Sequence, residues 1–373
     1  MPEVIDLRRA DDPRDVVHRI CQALAGGQFV VLPTETQYTI VGSATDAAAG
    51  ERLQTLFAGK PADLVMRGAE ECRDYWADPP EVIHKLCRRC WPGPVVLAIA
   101  EGWLGGLFTR LPASVRELLT KPSGSSRFRV PASPIWGEVQ RLTPAPLVAL
   151  SDAPSPRRTV DQLLAEIPLD SALVIDDGPC RYGENATVVR VNPRGWNIDV
   201  PGVVSARNVG RLASEVYLFV CTGNTCRSPM AEALFRKLLA DRLECAAEDL
   251  VDRGFVVTSA GLAAALGAPA SRESVELLAE LGVDLREHES QPLTERLLTQ
   301  ADHIFTMTAH HRQAILDERP DLESRVQLLS DDGGDISDPM GSGRAAYQSC
   351  REEIERHLRR IVQQIVTEAK SQP

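Results

Sequence analysis

The residues best equipped for chemistry lie together in the run Cys221-Thr222-Gly223-Asn224-Thr225-Cys226-Arg227-Ser228. Cysteine attacks as its thiolate, and a free thiol with a pKa of about 8.5 is mostly protonated at neutral pH, so the surroundings must favour the anion. Arg227 does this by its charge, and a helix starting just after the loop does it by its N-terminus. Gly223 allows close backbone approach, so the loop amides of Thr222 to Ser228 can hold the nonbridging oxygens of a phosphoryl group while the Arg227 guanidinium takes two of them as a planar fork. Ser228 is placed to donate a hydrogen bond to the thiolate when it leaves, and Asn224 to brace the loop. The leaving group still needs a proton donor. Asp338 is the candidate, in Gly334-Asp335-Ile336-Ser337-Asp338-Pro339-Met340-Gly341, where Pro339 stiffens the loop. Because a free carboxyl with a pKa of about 4 is ionised at neutral pH, the role requires a raised pKa or a substrate-shielded site. Asp-Pro alone is an ordinary turn; with the cysteine loop upstream, it reads as the acid.

The elements that must position these groups follow from pattern. Val216-Tyr217-Leu218-Phe219-Val220 is a continuous apolar run, expected of a buried parallel strand, and Pro229-Met230-Ala231-Glu232 reads as a helix start. A helix over 273–281 stops at Gly282, and Tyr347, Ile354, Leu358, Ile361 and Ile365 form the core stripe of a final helix. His310 and His311 open another helix and read as solvated. In the first half, helices are expected over 13–25, 47–56, 81–90 and 160–167. Strands are expected over 29–32, 95–100, 147–150, 173–175 and 187–191, giving an α/β layered domain. The segment 122–126 reads as a flexible loop and 201–214 as a linker.

At 373 residues the chain has room for two domains or more, at roughly 100–200 residues each. Its 41 basic and 52 acidic residues leave a net charge of −11, so no overall basic field recruits nucleic acid. The nine cysteines lack the spacing of a secreted disulfide framework, and Cys87-Arg88-Arg89-Cys90 has no second pair to complete a zinc site. No apolar stretch spans a bilayer, and the first residues lack a leader pattern; a cytoplasmic protein without membrane partner is expected.

From about residue 216 onward the chain resembles the low-molecular-weight protein-tyrosine-phosphatase family. The resemblance rests on Cys-x5-Arg-Ser, on Thr258-Ser259-Ala260-Gly261, on Ala301-Asp302-His303-Ile304-Phe305-Thr306-Met307-Thr308 and on Asp338-Pro339, in matching order. It implies a doubly wound parallel-sheet domain over 209–373, a phosphocysteine on Cys221, Asp338 as acid and then base, Ser259 hydrogen-bonded near the loop, no cofactor or metal, and a phosphorylated protein as substrate. Thr225, fifth in the loop, resembles the branch acting on phosphoarginine, where tyrosine-directed members usually carry a larger aliphatic residue. Met340 departs from the aromatic that both branches usually place after Asp-Pro, and supplies flexible apolar contact without a ring face. Phosphoarginine is the first expectation and phosphotyrosine the second. The resemblance also favours Cys226 as a thiol that traps oxidised Cys221 as a disulfide, against its reading as a small packing residue.

Residues 1–208 resemble the YrdC-like family of threonylcarbamoyl-AMP synthases. The match rests on Gly27-x-Phe29-Val30-Val31-Leu32-Pro33-Thr34-Glu35-Thr36-x-Tyr38, Trp91-Pro92-Gly93-Pro94, Arg129-Val130-Pro131 and Ala186-Thr187-Val188-Val189. It implies a site for threonine, bicarbonate and ATP with magnesium, with Thr34, Thr36, Tyr38, Lys60, Arg129, Ser151 and Thr187 as candidate ligand contacts. The departures are specific: Thr39-Ile40 replaces glycine and leucine, Lys60 is followed by Pro61-Ala62 without the family's arginine, and Ser151-Asp152-Ala153 stands for Ser-Ala-Asn. Losing an arginine removes a bidentate anion contact, and an aspartate near a triphosphate repels it. A degenerate module that binds another small ligand, a nucleotide, RNA or a partner is therefore preferred to an active synthase. The functional expectation is a cysteine phosphatase fused to this module, with a bifunctional enzyme serving tRNA modification and a nonenzymatic RNA- or nucleotide-binding scaffold as alternatives.

Overall fold

The computed structural model describes residues 2–57, 60–120, 124–150, 155–167, 172–193 and 195–371. The chain parts into two compact units, Met1–Leu212 and Ala213–Pro373, a few residues beyond the expected boundary at 208.

The first unit is built on a ten-stranded mixed sheet. Its strands run in spatial order Glu3–Asp6, Leu173–Asp176, Val30–Pro33, Tyr38–Ser43, Leu147–Leu150, Ala62–Val65, Ser125–Arg129, Val95–Ala100, Thr187–Asn192 and Gly195–Val200. The helix Pro13–Ala25 is capped by the Asp12 side chain, starts with proline at its first turn, and buries Val16, Val17, Ile20, Ala23 and Leu24. It packs with Trp136, whose indole N–H donates to the Pro33 carbonyl at 2.8 Å, so the largest ring in that core carries no unpaired donor.

Three expectations need correction here. The strand Ser125–Arg129 includes Ser125 and Ser126, which the sequence placed in a loop; both are buried, and Arg127 and Phe128 beside them pair with Asp63 and Leu64 across the sheet. The expected linker holds the helix Ala206–Ala213, pinned by buried Val209 and by Arg89 Nη1 donating to the Leu212 carbonyl at 2.8 Å. Polar strands also escaped the apolar pattern, notably Ala62–Val65, where buried Asp63 is held by Arg127 Nε at 2.9 Å. Ser151 lies outside the described residues.

The second unit is a four-stranded parallel sheet in the order Phe255–Gly261, Glu215–Cys221, His303–Thr306, Val326–Leu328. The central strand alternates between two cores, which explains why it reads as unbroken apolar sequence. Tyr217, Phe219 and Cys221 face a cluster with Met230, Leu234, Phe235, Tyr347, Ile354 and Leu358, from the helices Arg227–Leu243 and Gly343–Ser371. Val216, Leu218 and Val220 face Leu298, Ile304, Ile315 and Leu322, fed by the helices Glu295–Gln300 and Ala309–Glu318. The first strand of this unit pairs with the second on one side and the third on the other, so the crevice at its carboxyl end is the topological switch point, the place where open α/β sheets bind ligands. Cys221 ends that strand.

Phe219 is fully buried, with its ring centroid 5.4 Å from Phe235 and 5.6 Å from Phe305. Replacing it by alanine leaves a cavity that neither sheet face can close, and should cost about 3–5 kcal/mol. Urea unfolding followed in the second unit checks this; a loss below about 1 kcal/mol contradicts the packing described.

Candidate functional site

The loop after Cys221 turns because Asn224 adopts a left-handed conformation, φ 54°. That backbone is tolerated by asparagine, whose short side chain finds local partners. Here both amide hydrogens and the amide oxygen have partners. Asn224 Nδ2 donates to Ser228 Oγ at 2.9 Å and to Ser259 Oγ at 2.8 Å, while Oδ1 accepts from Gln291 N at 2.9 Å. His288 Nε2 stands 2.8 Å from the Asn224 carbonyl. Ser259 Oγ in turn donates to Glu232 Oε2 at 2.7 Å. Burial pushes the Glu232 carboxyl up, and the Ser259 hydroxyl opposes that shift.

This network sets the protons around the sulfur. Ser228 Oγ accepts from Asn224, so its own hydrogen is left to point at Cys221 Sγ, 3.0 Å away, in preference to the Ala260 carbonyl at 3.4 Å. The Asn224 backbone N–H donates to the same sulfur at 3.2 Å. Two donors thus converge on the Cys221 sulfur, at the start of the helix Arg227–Leu243. The adjoining strand end must be glycine: a Cβ on Gly261 would meet the Thr222 carbonyl at 2.5 Å and Asn224 N at 2.9 Å.

Arg227, buried to 5 % exposure, closes the site from the other end. Its Nη1 donates to the Ile336 carbonyl at 3.3 Å and its Nη2 to Asp338 Oδ2 at 2.5 Å. Asp338 Oδ1 accepts from Met340 N at 3.2 Å, a turn that orients the carboxylate over the loop. Ile336 N donates to the Met307 carbonyl at 2.8 Å, which ties the Asp338 loop to the neighbouring strand end. The structure therefore joins Cys221, Asn224, Ser228 and Ser259 in one hydrogen-bonded set and pairs Arg227, the next residue along the loop, with Asp338.

The remaining loop residues are placed as follows. Thr225 is half-buried, its carbonyl accepting from Ser271 N at 2.9 Å. Cys226 Sγ lies 3.1 Å from Tyr347 Oη and 3.7 Å from Thr225 Oγ1. Met340 is 63 % exposed, so its side chain is an apolar surface close to Asp338 in the chain. Gly223 is half-buried and Thr222 is exposed. Thr222 Oγ1 lies 2.9 Å from His311 Nε2. His311 is buried on the helix Ala309–Glu318, which corrects its reading as a solvated residue: helix position alone does not say which face meets the loop. Glu232, His288, Gln291 and His311 were not among the expected site residues. His288 and Gln291 reach Asn224 only through the fold, and nothing in their local sequence announces it.

In the first unit Thr34, Thr36, Tyr38, Arg129 and Thr187 are engaged by the protein itself. Thr34 Oγ1 donates to the Gln37 carbonyl at 2.7 Å and lies 3.3 Å from Thr36 Oγ1. Tyr38 Oη donates to the Gly178 carbonyl at 2.6 Å and accepts from Asp177 N at 2.9 Å, with burial pushing the phenol up. Thr187 Oγ1 donates to the Val204 carbonyl at 2.9 Å. Lys60 is half-buried. Arg129 is buried between two carboxylates: its Nη2 donates to Glu35 Oε1 at 2.9 Å, and Nη1 is 3.9 Å from Asp63 Oδ2. A cavity of about 550 Å³ takes Thr34, Glu35, Ser133, Asp177, Arg181 and Tyr182 into its wall, but among the described residues not Thr36, Tyr38, Lys60, Arg129 or Thr187. Cys87 and Cys90 are buried helix residues with their thiols pushed up by burial, Cys90 to about 12.

Comparison with known proteins agrees with this division. Residues 216–371 match the family model for low molecular weight phosphotyrosine protein phosphatase, and residues 22–199 match the Sua5/YciO/YrdC model, described as telomere recombination. The second unit is similar to the protein-arginine-phosphatase of Bacillus subtilis, 40% identical over 152 residues, covering 40% of this chain and 95% of that protein. It is also similar to the protein-arginine-phosphatase of Geobacillus stearothermophilus, 36% identical over 40% of this chain and 96% of that protein. A probable low molecular weight protein-tyrosine-phosphatase, EpsP, of Ralstonia nicotianae is 36% identical over 38% of this chain and 90% of its own length. The chain belongs to the low molecular weight protein phosphatase family through its second unit, with a Sua5/YrdC-type α/β unit preceding it.

The site carries a pH signature. The His311 imidazole is pushed down to about 4, first by burial and then by Arg227 and His310. In the unfolded chain it takes a proton near its ordinary pKa of about 6.5, so between these values the unfolded state binds more protons and stability falls as pH falls. The wild type should lose stability through this window, and His311→Gln should flatten that slope in denaturant titrations at stepped pH. Glu232, pushed up by burial, acts in the opposite sense and His357, pushed down by burial, in the same sense, both equally in the two proteins. Identical slopes contradict the buried, neutral His311.

Proposed function

We propose that the second unit dephosphorylates proteins by two-step transfer through Cys221, with phosphoarginine as the preferred side chain. The observation that carries the reading is the loop itself: two donors on Cys221 Sγ, a buried Arg227 reaching Asp338, and Thr225 as the fifth residue. In the first step Cys221 Sγ bonds to phosphorus, the bond to the side-chain nitrogen breaks, and Asp338 gives that nitrogen a proton. In the second, Asp338 takes a proton from water as its oxygen bonds to phosphorus, and the S–P bond breaks to return the thiolate to the Ser228 and Asn224 donors. As a phosphoryl group enters, the Arg227 fork turns to its oxygens and releases Asp338 toward the leaving group.

The preference for phosphoarginine is supported by Thr225 and by the protein-arginine-phosphatases to which this unit is similar. A β-branched hydroxyl residue leaves less apolar wall for a phenol ring, and exposed Met340 adds no aromatic face. Kinetics of wild type, Cys221→Ser and Thr225→Ile on phosphoarginine and phosphotyrosine test this. Wild type should favour phosphoarginine by about tenfold or more in kcat/KM, which is about 1.4 kcal/mol. Thr225→Ile should reverse or erase that preference, and Cys221→Ser should be inactive. Comparable hydrolysis of both substrates, or of phosphotyrosine alone, overturns the preference; activity in Cys221→Ser overturns the mechanism.

Cys226 is proposed as the thiol that captures a sulfenic acid on Cys221. Cys226 carries a free thiol, five residues from that of Cys221 in the same loop. Peroxide inactivation of wild type should be reversed by dithiothreitol, whereas Cys226→Ser should be inactivated irreversibly. Equal recovery of the two contradicts this role.

The first unit is proposed to keep its fold without synthase turnover. Arg129, the buried cation of its motif, already faces Glu35 and Asp63, and no arginine follows Lys60, so these residues do not fit a triphosphate. Bicarbonate-dependent formation of threonylcarbamoyl-AMP by the full chain would overturn this.

A further inference from the structure

His311 approaches the nucleophile loop from a different element than the Asn224 network. It stands on the helix Ala309–Glu318 and is 3 % exposed. Its Nε2 lies 2.9 Å from Thr222 Oγ1, and its buried Nδ1 has no hydrogen-bond partner among the described residues. The two ring nitrogens are therefore unequal, and the hydrogen bonds decide the tautomer. A proton on Nδ1 would be an orphaned buried donor, which is rarer in proteins than an unfilled acceptor, so the proton belongs on Nε2. Nε2–H then donates to Thr222 Oγ1, and the hydroxyl hydrogen of Thr222 has to point away from the imidazole.

Thr222 follows the nucleophile directly and is exposed. Its carbonyl accepts from Ala263 N at 2.9 Å, so the backbone is fixed while the hydroxyl turns. The same helix start also holds the acid loop, because Ala309 N donates to Asp335 Oδ1 at 2.7 Å. We propose that His311 is a positioning residue for phosphoryl transfer, holding the Thr222 hydroxyl as a donor toward the incoming phosphoryl group from the helix start that also carries the acid loop. The inference rests on Cys221 being the nucleophile.

The role requires a neutral ring, since an imidazolium would add positive charge against Arg227. The charged and titratable groups acting on His311 are Arg227 and His310, which disfavour the cation, and Asp335 and Asp338, which favour it. Burial decides the balance, and the ring stays neutral down to about 4.

A double-mutant cycle in the full chain tests the link. Thr222→Val removes the hydroxyl and keeps the branched shape; His311→Phe removes the donor; His311→Gln keeps an N–H donor. Thr222→Val and His311→Phe should each lower kcat by about tenfold, the value of one hydrogen bond, with KM moving less than about twofold. The double variant should be no slower than the slower single, and His311→Gln should stay within about threefold of wild type. Losses that multiply toward about a hundredfold, an unchanged Thr222→Val, or a His311→Gln as slow as His311→Phe would overturn the proposal. Thr222 is exposed, so Thr222→Val and His311→Gln still decide the matter if His311→Phe does not fold. Activity remaining in Cys221→Ser is a separate result and would remove the nucleophile instead.

Discussion

The second unit depends on one asparagine. Asn224 takes a backbone conformation that few side chains tolerate, and it holds that conformation because both amide hydrogens and the amide oxygen are spent on Ser228, Ser259 and Gln291. Everything chemical about the loop follows. The left-handed turn aims the Asn224 N–H at the Cys221 sulfur, and the side chain, by donating into Ser228, aims the serine hydrogen at the same atom. A buried polar network of this kind is stable only when it is complete, and then it specifies one arrangement. Gly261 supplies the space it needs.

Charge is organised around the same point. A helix N-terminus, two donors on the sulfur and Arg227 all favour negative charge at the mouth of the loop, and Asp338 answers Arg227 from a loop fastened to the adjoining strand. The sheet order explains why these groups can meet. Strand ends on both sides of the switch point carry Cys221, Gly261 and Met307, and each of the connecting segments returns one member of the site. The first unit shows the reverse pattern: Glu35 and Asp63 flank Arg129 within the protein, so a positive side chain that is conspicuous in the sequence is committed to an internal ion-pair cluster.

Legibility in the sequence tracked how local the determining physics is. The helices Pro13–Ala25 and Glu81–Cys90 and the strands Val95–Ala100 and Leu147–Leu150 were readable because capping, glycine stops and apolar runs act within a few residues. Strands Ala62–Val65 and Ser125–Arg129 were not, since their polar side chains are buried against partners far along the chain. In the site, Cys221, Arg227, Ser228 and Asp338 declare themselves by residue type and spacing. His288, Gln291, Glu232 and His311 act through contacts that only the tertiary fold creates; His311 was read as solvated because adjacent histidines at a helix start look like a polar surface, whereas the helix turns only the second of them inward.

The chemistry of the second unit turns on one proposed event, the passage of a phosphoryl group through Cys221. Rapid quench of the full chain, mixed with excess phosphoarginine protein, into cold alkaline denaturant, which spares both P–N and S–P bonds, followed by peptide mapping, decides it. A burst of dephosphorylated product approaching one equivalent per enzyme is expected when hydrolysis of the intermediate limits turnover, with phosphate on the peptide containing Cys221 and none on that peptide in Cys221→Ala quenched at the same time. Phosphate trapped on another residue, or turnover with no phosphate ever found on Cys221, would contradict it.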